Sequence, residues 1–237
     1  DRLRSRGLGD VYKRQGVKKA NNELHAVGLG AMNLHGYLAK NKIAYESEEA
    51  KDFVRTFFMM VNYYSIVASC EIAIEKGEVF KGFENSEYAN GNYFKKYLEN
   101  DYSPKTDKVK KLFEGIDIPT QHHWEALSSE VANFGMYHAY RLAIAPTQSI
   151  GYVQNATPSI APIVSIVETR TYGDSTTYYP MPFLDKSNFF FYKSAYQMDM
   201  MKVIDLVAEI QDHVDQGISL VLYIDSETPT NQLVRYY

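Results

Sequence analysis

Apolar side chains recur at helical spacing along most of this chain and at strand spacing along little of it. Between Asn21 and Asn41 the residues Leu24, Val27, Leu29, Met32, Leu34 and Leu38 share one broad face, which predicts a helix. Gly28, Gly30 and Gly36 interrupt it and mark places where another backbone or a loop comes close. Ser47 suits an N-cap, with Glu48 and Glu49 favourable in the first turn. Behind it Phe53, Phe57, Met60, Val61, Tyr64 and Val67 carry a long helix to about Lys76. Gly82 to Pro104, rich in Gly, Asn and Tyr, predicts an ordered loop region with a short helix from Tyr93 to Glu99. Lys105 to Glu114 is a further short amphipathic helix, and His122 opens another through Leu127, Val131 and Phe134 to about His138.

The second half mixes periods. Leu142 to Ala145 is a strand-like run that stops at Pro146. Ala161 to Val167 is apolar beside two prolines, Arg170 to Thr177 is polar and exposed, and Tyr178 to Pro182 is extended. Ser194 to His213 predicts a strong helix ended by Gly217, and Ile218 to Ile224 a buried strand. Strand–Pro-Thr–helix followed by helix–Gly–strand predicts an α/β architecture with more helix than strand.

The chain has 237 residues, 45% hydrophobic and 23% charged, enough to bury a substantial core. A net charge of −4 leaves no electrostatic footprint for nucleic acid. No unbroken apolar run approaches the roughly 18 residues of a membrane span, and no signal-peptide pattern is present. The single cysteine, Cys70, excludes an internal disulfide and argues against a thiolate metal site. Together these features point to a reducing, cytoplasmic setting. Cys70 beside Glu71 reads as structural, because a reactive thiolate wants a base or cation nearby. His122 and His123 are adjacent, hence about 100° apart on a helix, and lack the i+4 partner of a zinc-binding pair. His25 and His35 read as hydrogen-bonded packing residues. No metal ligands are assigned.

The chemistry concentrates at Arg141-Leu-Ala-Ile-Ala-Pro-Thr-Gln-Ser-Ile150. A helix starting after Pro146 leaves its first N–H groups without internal partners, and its dipole favours an anion. The same residues also suit a plain βα turn capped by Thr147 or Ser149. Both readings stand on local chemistry.

Three stretches carry a resemblance: Val27-Gly-Leu-Gly-Ala-Met-Asn-Leu-His-Gly-Tyr-Leu38, Gly82-Phe-Glu-Asn-Ser86, and Arg141 to Ile150 continuing through Ala156 and Thr157 to Pro162. Tyr178-Tyr-Pro180, Ser194 to Asp199 and His213 to Leu220 extend it in the same order. In these stretches the chain resembles the large (α, catalytic) subunit of class I ribonucleoside-diphosphate reductase, most closely class Ib. The resemblance implies a C-terminal portion of a ten-stranded α/β barrel, helix-rich over this length. It implies that ribonucleoside diphosphates are reduced to 2′-deoxyribonucleoside diphosphates for DNA synthesis by a cysteine radical and a redox-active cysteine pair. The substrate diphosphate would be held at Pro146, Thr147, Gln148, Ser149 and Ile150, where Gln148 stands in place of the family's commoner glycine.

The resemblance places the radical cysteine, the redox pair and the allosteric nucleotide site upstream of Gly16, and the relay tyrosines after residue 237. The expectation is therefore of a fragment with no catalytic residue of its own. Tyr236-Tyr237 does not match the relay pair in context. Asp1 to Gln15 resembles the translation of a sequencing adapter, which leaves 16–237 as a partial barrel domain cut at both ends. No cofactor is expected on this chain. The implied partners are a small β subunit carrying a dimetal tyrosyl radical, nucleotide effectors, a thioredoxin- or glutaredoxin-like reductant and a second α subunit; nucleic acid and membrane are not implied. Two alternatives are a stand-alone phosphate- or nucleotide-binding module without catalysis and a fragment of a cobalamin-dependent (class II) reductase.

Overall fold

The computed structural model describes residues 15–236. The adapter-like segment lies outside them except for Gln15, and so does Tyr237. The elements in chain order are α1 (Gln15–Leu24), α2 (Leu34–Lys40), α3 (Glu48–Lys76), α4 (Lys95–Glu99), α5 (Asp107–Leu112), α6 (Gln121–Phe134), α7 (Gln148–Val153), β1 (Val167–Tyr172), β2 (Ser175–Pro180), α8 (Met200–Gln211) and α9 (Thr230–Arg235). Short 3-10 turns stand at Phe83–Asn85, Asn92–Phe94, Phe189–Phe191 and Ala195–Gln197. Among the described residues the regular sheet is one antiparallel hairpin, β1 against β2. The expectation of more helix than strand is met; neither of the two strands behind the α/β expectation forms among the described residues, Leu142 making only an isolated bridge.

The chain divides into two compact units. The first takes in Gly28 and the described residues before it, Met60–Asp101 and Pro119–Leu142. Its core is aromatic. Trp124 is buried, with Tyr97 stacked on it at 3.9 Å between centroids and Tyr63 edge-on at 4.9 Å. Phe80, Phe94, Leu127 and Val131 complete it. Thr120 and His123 form a capping box at the start of α6, the His123 Nδ1 accepting the Thr120 N–H at 3.1 Å. His123 thus serves the helix end. Helix α6 stops at Phe134, short of the expected His138, because Tyr137 and His138 turn back to donate their N–H groups to Ser69.

The second unit comprises Leu29–Met59, Tyr102–Ile118 and Ala143–Tyr237. Leu38, Ile43, Phe58, Val109, Ile163, Val203, Leu206 and Ile210 are buried in it. Helix α3 begins as predicted, with Ser47 Oγ accepting the Ala50 N–H at 3.2 Å, and ends as predicted at Lys76. By length and composition it could cross a bilayer, which the lack of an unbroken apolar run did not suggest. Its buried polar residues show that it packs in protein instead. Thr56 donates to the Tyr102 carbonyl at 2.7 Å in the second unit, and Asn62 to the Tyr97 hydroxyl at 2.7 Å in the first.

Three expectations are corrected. Asn21 to Asn41 is not one glycine-interrupted helix: α1 ends at Leu24, residues 25–33 are non-helical with an extended stretch around Leu29, and α2 begins at Leu34. The extended piece runs beside the chain before Pro146. Val27 donates to the Tyr140 carbonyl at 3.0 Å in the first unit, and Ala143 to the Leu29 carbonyl at 3.0 Å in the second. Gly30 permits the approach, since a Cβ there would lie 2.3 Å from the Ala143 carbonyl oxygen. The strong helix expected from Ser194 starts only at Met200, where Asp199 accepts the Met201 N–H. Ile218 to Ile224 is not a buried strand. No strand pairs with it among the described residues, and Val221 is 60% exposed. An apolar run of that length is buried on both faces only when neighbouring strands cover it.

His35, on α2, is fully buried. Its Nδ1 accepts the Ile163 N–H at 3.0 Å and its Nε2 donates to the Phe191 carbonyl at 3.1 Å, which is the packing role expected of it. Burial pushes its pKa down to about 4. The unfolded chain therefore binds a proton near pH 6.5 that the folded chain refuses until about pH 4. Stability linked to His35 is fully present above pH 6.5 and is lost as pH falls through that window, by roughly 3 kcal/mol at about 1.4 kcal/mol per unit. Urea midpoints measured from pH 7 to 4.5 should show this slope, and His35→Gln should flatten it. An unchanged slope in the variant would place the acid sensitivity elsewhere.

Candidate functional site

The stretch singled out from sequence lies in the second unit after Leu142. Pro146 has no N–H to continue the pairing that Ala143 makes. Thr147 then adopts a left-handed conformation, φ 49, unusual for a β-branched residue and held only where neighbours over-determine it. Two bonds do so. Its Oγ1 accepts the Ser159 N–H at 2.7 Å and its carbonyl accepts the Gly151 N–H at 2.8 Å. Helix α7 consequently starts without a side-chain cap. Neither Thr147 nor Ser149 provides the expected side-chain cap: the Thr147 hydroxyl oxygen is engaged by Ser159, and Ser149 lies inside the helix. The N–H groups of Gln148, Ser149 and Ile150 precede the first intrahelical bond, and all three residues are exposed.

A second anchor fixes the return strand of the loop. Thr157 is buried; its N–H donates to Asn33 Oδ1 at 2.9 Å and its carbonyl accepts the Asn33 N–H at 2.9 Å. Its Oγ1 accepts the Gly36 N–H at 3.2 Å. A Cβ on Gly36 would lie 2.1 Å from Asn33 Oδ1, so the glycine makes room for the amide that clamps Thr157. Asn33 itself is left-handed, φ 68, a conformation asparagine tolerates better than most residues.

A cleft of about 200 Å³ is walled by Ile144, Pro146, Gln148, Pro158 to Val164 and Ser219 to Val221, with Glu168 and Tyr223 also lining it. Of the five predicted residues, Pro146 and Gln148 line it, Thr147 ties its two walls together, and Ser149 and Ile150 stand outside it on the exposed face of α7. Glu168 is its only charged lining residue among those described. Among the described residues no cationic side chain lines the cleft, so an anion there would rest on backbone N–H groups and hydroxyls. Among the described residues no group of three or more His, Cys, Asp or Glu could hold a metal ion. Cys70, buried in the first unit, has its thiol pushed up to about 11 by burial and then by the charges of Glu130 and Glu71. That environment suits the structural role expected of it.

A family model described as "Ribonucleotide reductase, barrel domain" matches residues 8–237. The chain belongs to the ribonucleotide reductase barrel-domain family. It is 57% identical to the ribonucleoside-diphosphate reductase subunit alpha of Bacillus subtilis over 95% of its own length and 32% of that relative's. The corresponding subunit of Mycoplasma pneumoniae is 44% identical over 93% of the chain and 32% of the relative. That of Helicobacter pylori is 31% identical over 94% and 27%. The chain spans about a third of the length of the curated relatives it matches.

Family membership accounts for the barrel reading, and the hairpin with long helices is the part of that barrel domain described here. The sequence reading left Asn33, Ser159, Tyr152 and Glu168 unassigned. Asn33 carried no signal, because it falls inside the helical period that runs from Asn21 to Asn41 in sequence. Glu168 carried none, since a carboxylate in a polar stretch looks the same whether it faces water or a cleft.

Proposed function

We propose that this chain is the barrel segment of a class I ribonucleoside-diphosphate reductase α subunit, and that Pro146 to Ile150 hold the substrate diphosphate. The observation that carries the reading is the uncapped start of α7 at a cleft wall, within a chain 57% identical to such a subunit. The N–H groups of Gln148, Ser149 and Ile150 and the Ser149 hydroxyl would donate to phosphate oxygens, and Thr147 holds the turn in place through Ser159. The diphosphate end is fixed so that the ribose is presented to residues elsewhere in a ten-stranded barrel, where a cysteine radical and a cysteine pair replace the 2′-hydroxyl by hydrogen. Gln148 puts an amide where glycine would leave space, at the mouth of the cleft. A β subunit with a dimetal tyrosyl radical supplies the radical, a thioredoxin- or glutaredoxin-like protein supplies electrons, a second α subunit completes the enzyme, and nucleotides regulate it.

In the reconstituted α–β enzyme, Ser149→Ala should raise KM for a nucleoside diphosphate about tenfold and leave kcat within about twofold, the loss of one hydrogen bond to a charged group. Steady-state kinetics with saturating reductant measures it. An unchanged KM would remove the diphosphate from this loop.

A further inference from the structure

We propose that Tyr152, Glu168 and Arg170 form a clamp by which the β1–β2 hairpin positions the Pro146–Ile150 loop, making them positioning residues for substrate binding; this rests on the reading that the loop holds the diphosphate. Tyr152 is on α7, immediately downstream of the loop. Its hydroxyl donates to Glu168 Oε2 on β1. The Arg170 guanidinium lies 3.7 Å from the Tyr152 ring centroid, with its nitrogen 3.8 Å from the same Glu168 oxygen. Tyr179, opposite Glu168 in the hairpin register, brings its ring within 5.4 Å of Tyr152.

Alternation in the hairpin singles out this cluster. Glu168, Arg170 and Tyr179 are half-buried, while Val167, Thr169, Thr171 and Tyr178 are exposed. Residues two apart on a strand share a face, so one face of the hairpin is spent on Tyr152 and the other meets water. A two-stranded hairpin is marginal by itself in water. The face that meets Tyr152 therefore orders the hairpin, and the hairpin in return fixes the orientation of a six-residue helix that has no cap of its own. Burial, followed by the bond to Glu168, raises the Tyr152 pKa, which keeps its hydroxyl protonated as the donor. Glu168 also lines the cleft. Arg170 offsets its charge there, and without that offset a carboxylate beside a bound diphosphate would repel it.

The test uses the reconstituted α–β enzyme with cytidine diphosphate. Tyr152→Phe keeps the ring that Arg170 and Tyr179 touch and removes only the hydroxyl. It should raise KM about fivefold, less than the roughly tenfold of a direct phosphate contact, with kcat within twofold and the melting temperature unchanged. Glu168→Gln, which keeps an acceptor for the hydroxyl, should raise KM less than Glu168→Ala does. Ser149→Ala runs alongside. If it raises KM while Tyr152→Phe and Glu168→Ala do not, the clamp is wrong and the loop reading survives. If none of the three moves KM, the loop reading falls and takes the clamp with it.

Discussion

Replacing Arg141 by alanine should cost the first unit about 4 kcal/mol. The side chain is 1% exposed, among the most buried large residues in the protein. Its guanidinium donates to Asn62 Oδ1 at 2.9 Å, Ser65 Oγ at 2.6 Å and the Tyr88 hydroxyl at 2.9 Å. It also lies 5.5 Å from the centre of the Tyr88 ring and 5.9 Å from that of Tyr93. Asn62 in turn donates to Tyr97, which stacks on Trp124. Alanine would leave an opening the size of the side chain and several buried acceptors that lost a charged donor, each costing about 1–3 kcal/mol before relaxation. Lysine should recover less than half of the loss, because one ammonium cannot spread over acceptors set out for a planar fork. Trp124 is the single tryptophan and sits in this unit, so its fluorescence in a urea titration reports the effect directly. A shift worth less than about 1 kcal/mol would mean that the network is replaceable by water.

Asp52→Ala should cost the second unit about 3 kcal/mol. Asp52 is 4% exposed on α3. Its carboxylate accepts the Lys105 N–H at 2.9 Å, the Thr106 N–H at 2.7 Å, the Thr106 hydroxyl at 2.9 Å and Arg55 at 2.7 Å. Thr106 precedes the first residue of α5 and makes no cap bond with its own side chain. Asp52 anchors the N-cap residue of that helix from more than fifty residues away along the chain. Removing the carboxylate orphans two backbone N–H groups and leaves Arg55 with less charge to face. Asparagine should lose about half as much, since it keeps one acceptor oxygen but turns an NH₂ toward donors. Hydrogen exchange at Thr106 should rise in Asp52→Ala well before global unfolding; protection equal to the parent chain would show that another acceptor replaces Asp52.

These two residues also mark the boundary of what could be read from sequence. Ser47, Glu48 and Glu49 announced the start of α3, and its apolar period carried it to Lys76 without error. Those signals are local: a cap bonds three residues away and a helical face repeats within four. Asp52 and Arg141 were invisible in the same text, because, Arg55 aside, the hydrogen-bond partners described for them lie 48 to 79 residues away and nothing nearby distinguishes them from surface charges. Gly28 to Gly30 was misread for a related reason. Its residues fit a helical face, yet the chain is extended there because pairing with 140–143 outweighs a propensity that glycine had already weakened.

By itself the sequence determined the helices with strong periods and caps, the balance of helix over strand, the structural character of Cys70 and His35, and the family, through residues that match in order. It also singled out the segment proposed above to hold an anion, because Pro146 must stop a pairing and small polar residues follow it. Only the tertiary structure decided that the Thr147 hydroxyl serves Ser159 and leaves α7 uncapped, that Asn33 and Thr157 hold the return strand, and that Glu168 reaches the cleft beside Tyr152. The physical reason is one of range. Propensity and periodicity act between near neighbours, whereas a site is made where distant segments bury each other's polar groups, and each such group is satisfied only by the partner the fold brings to it.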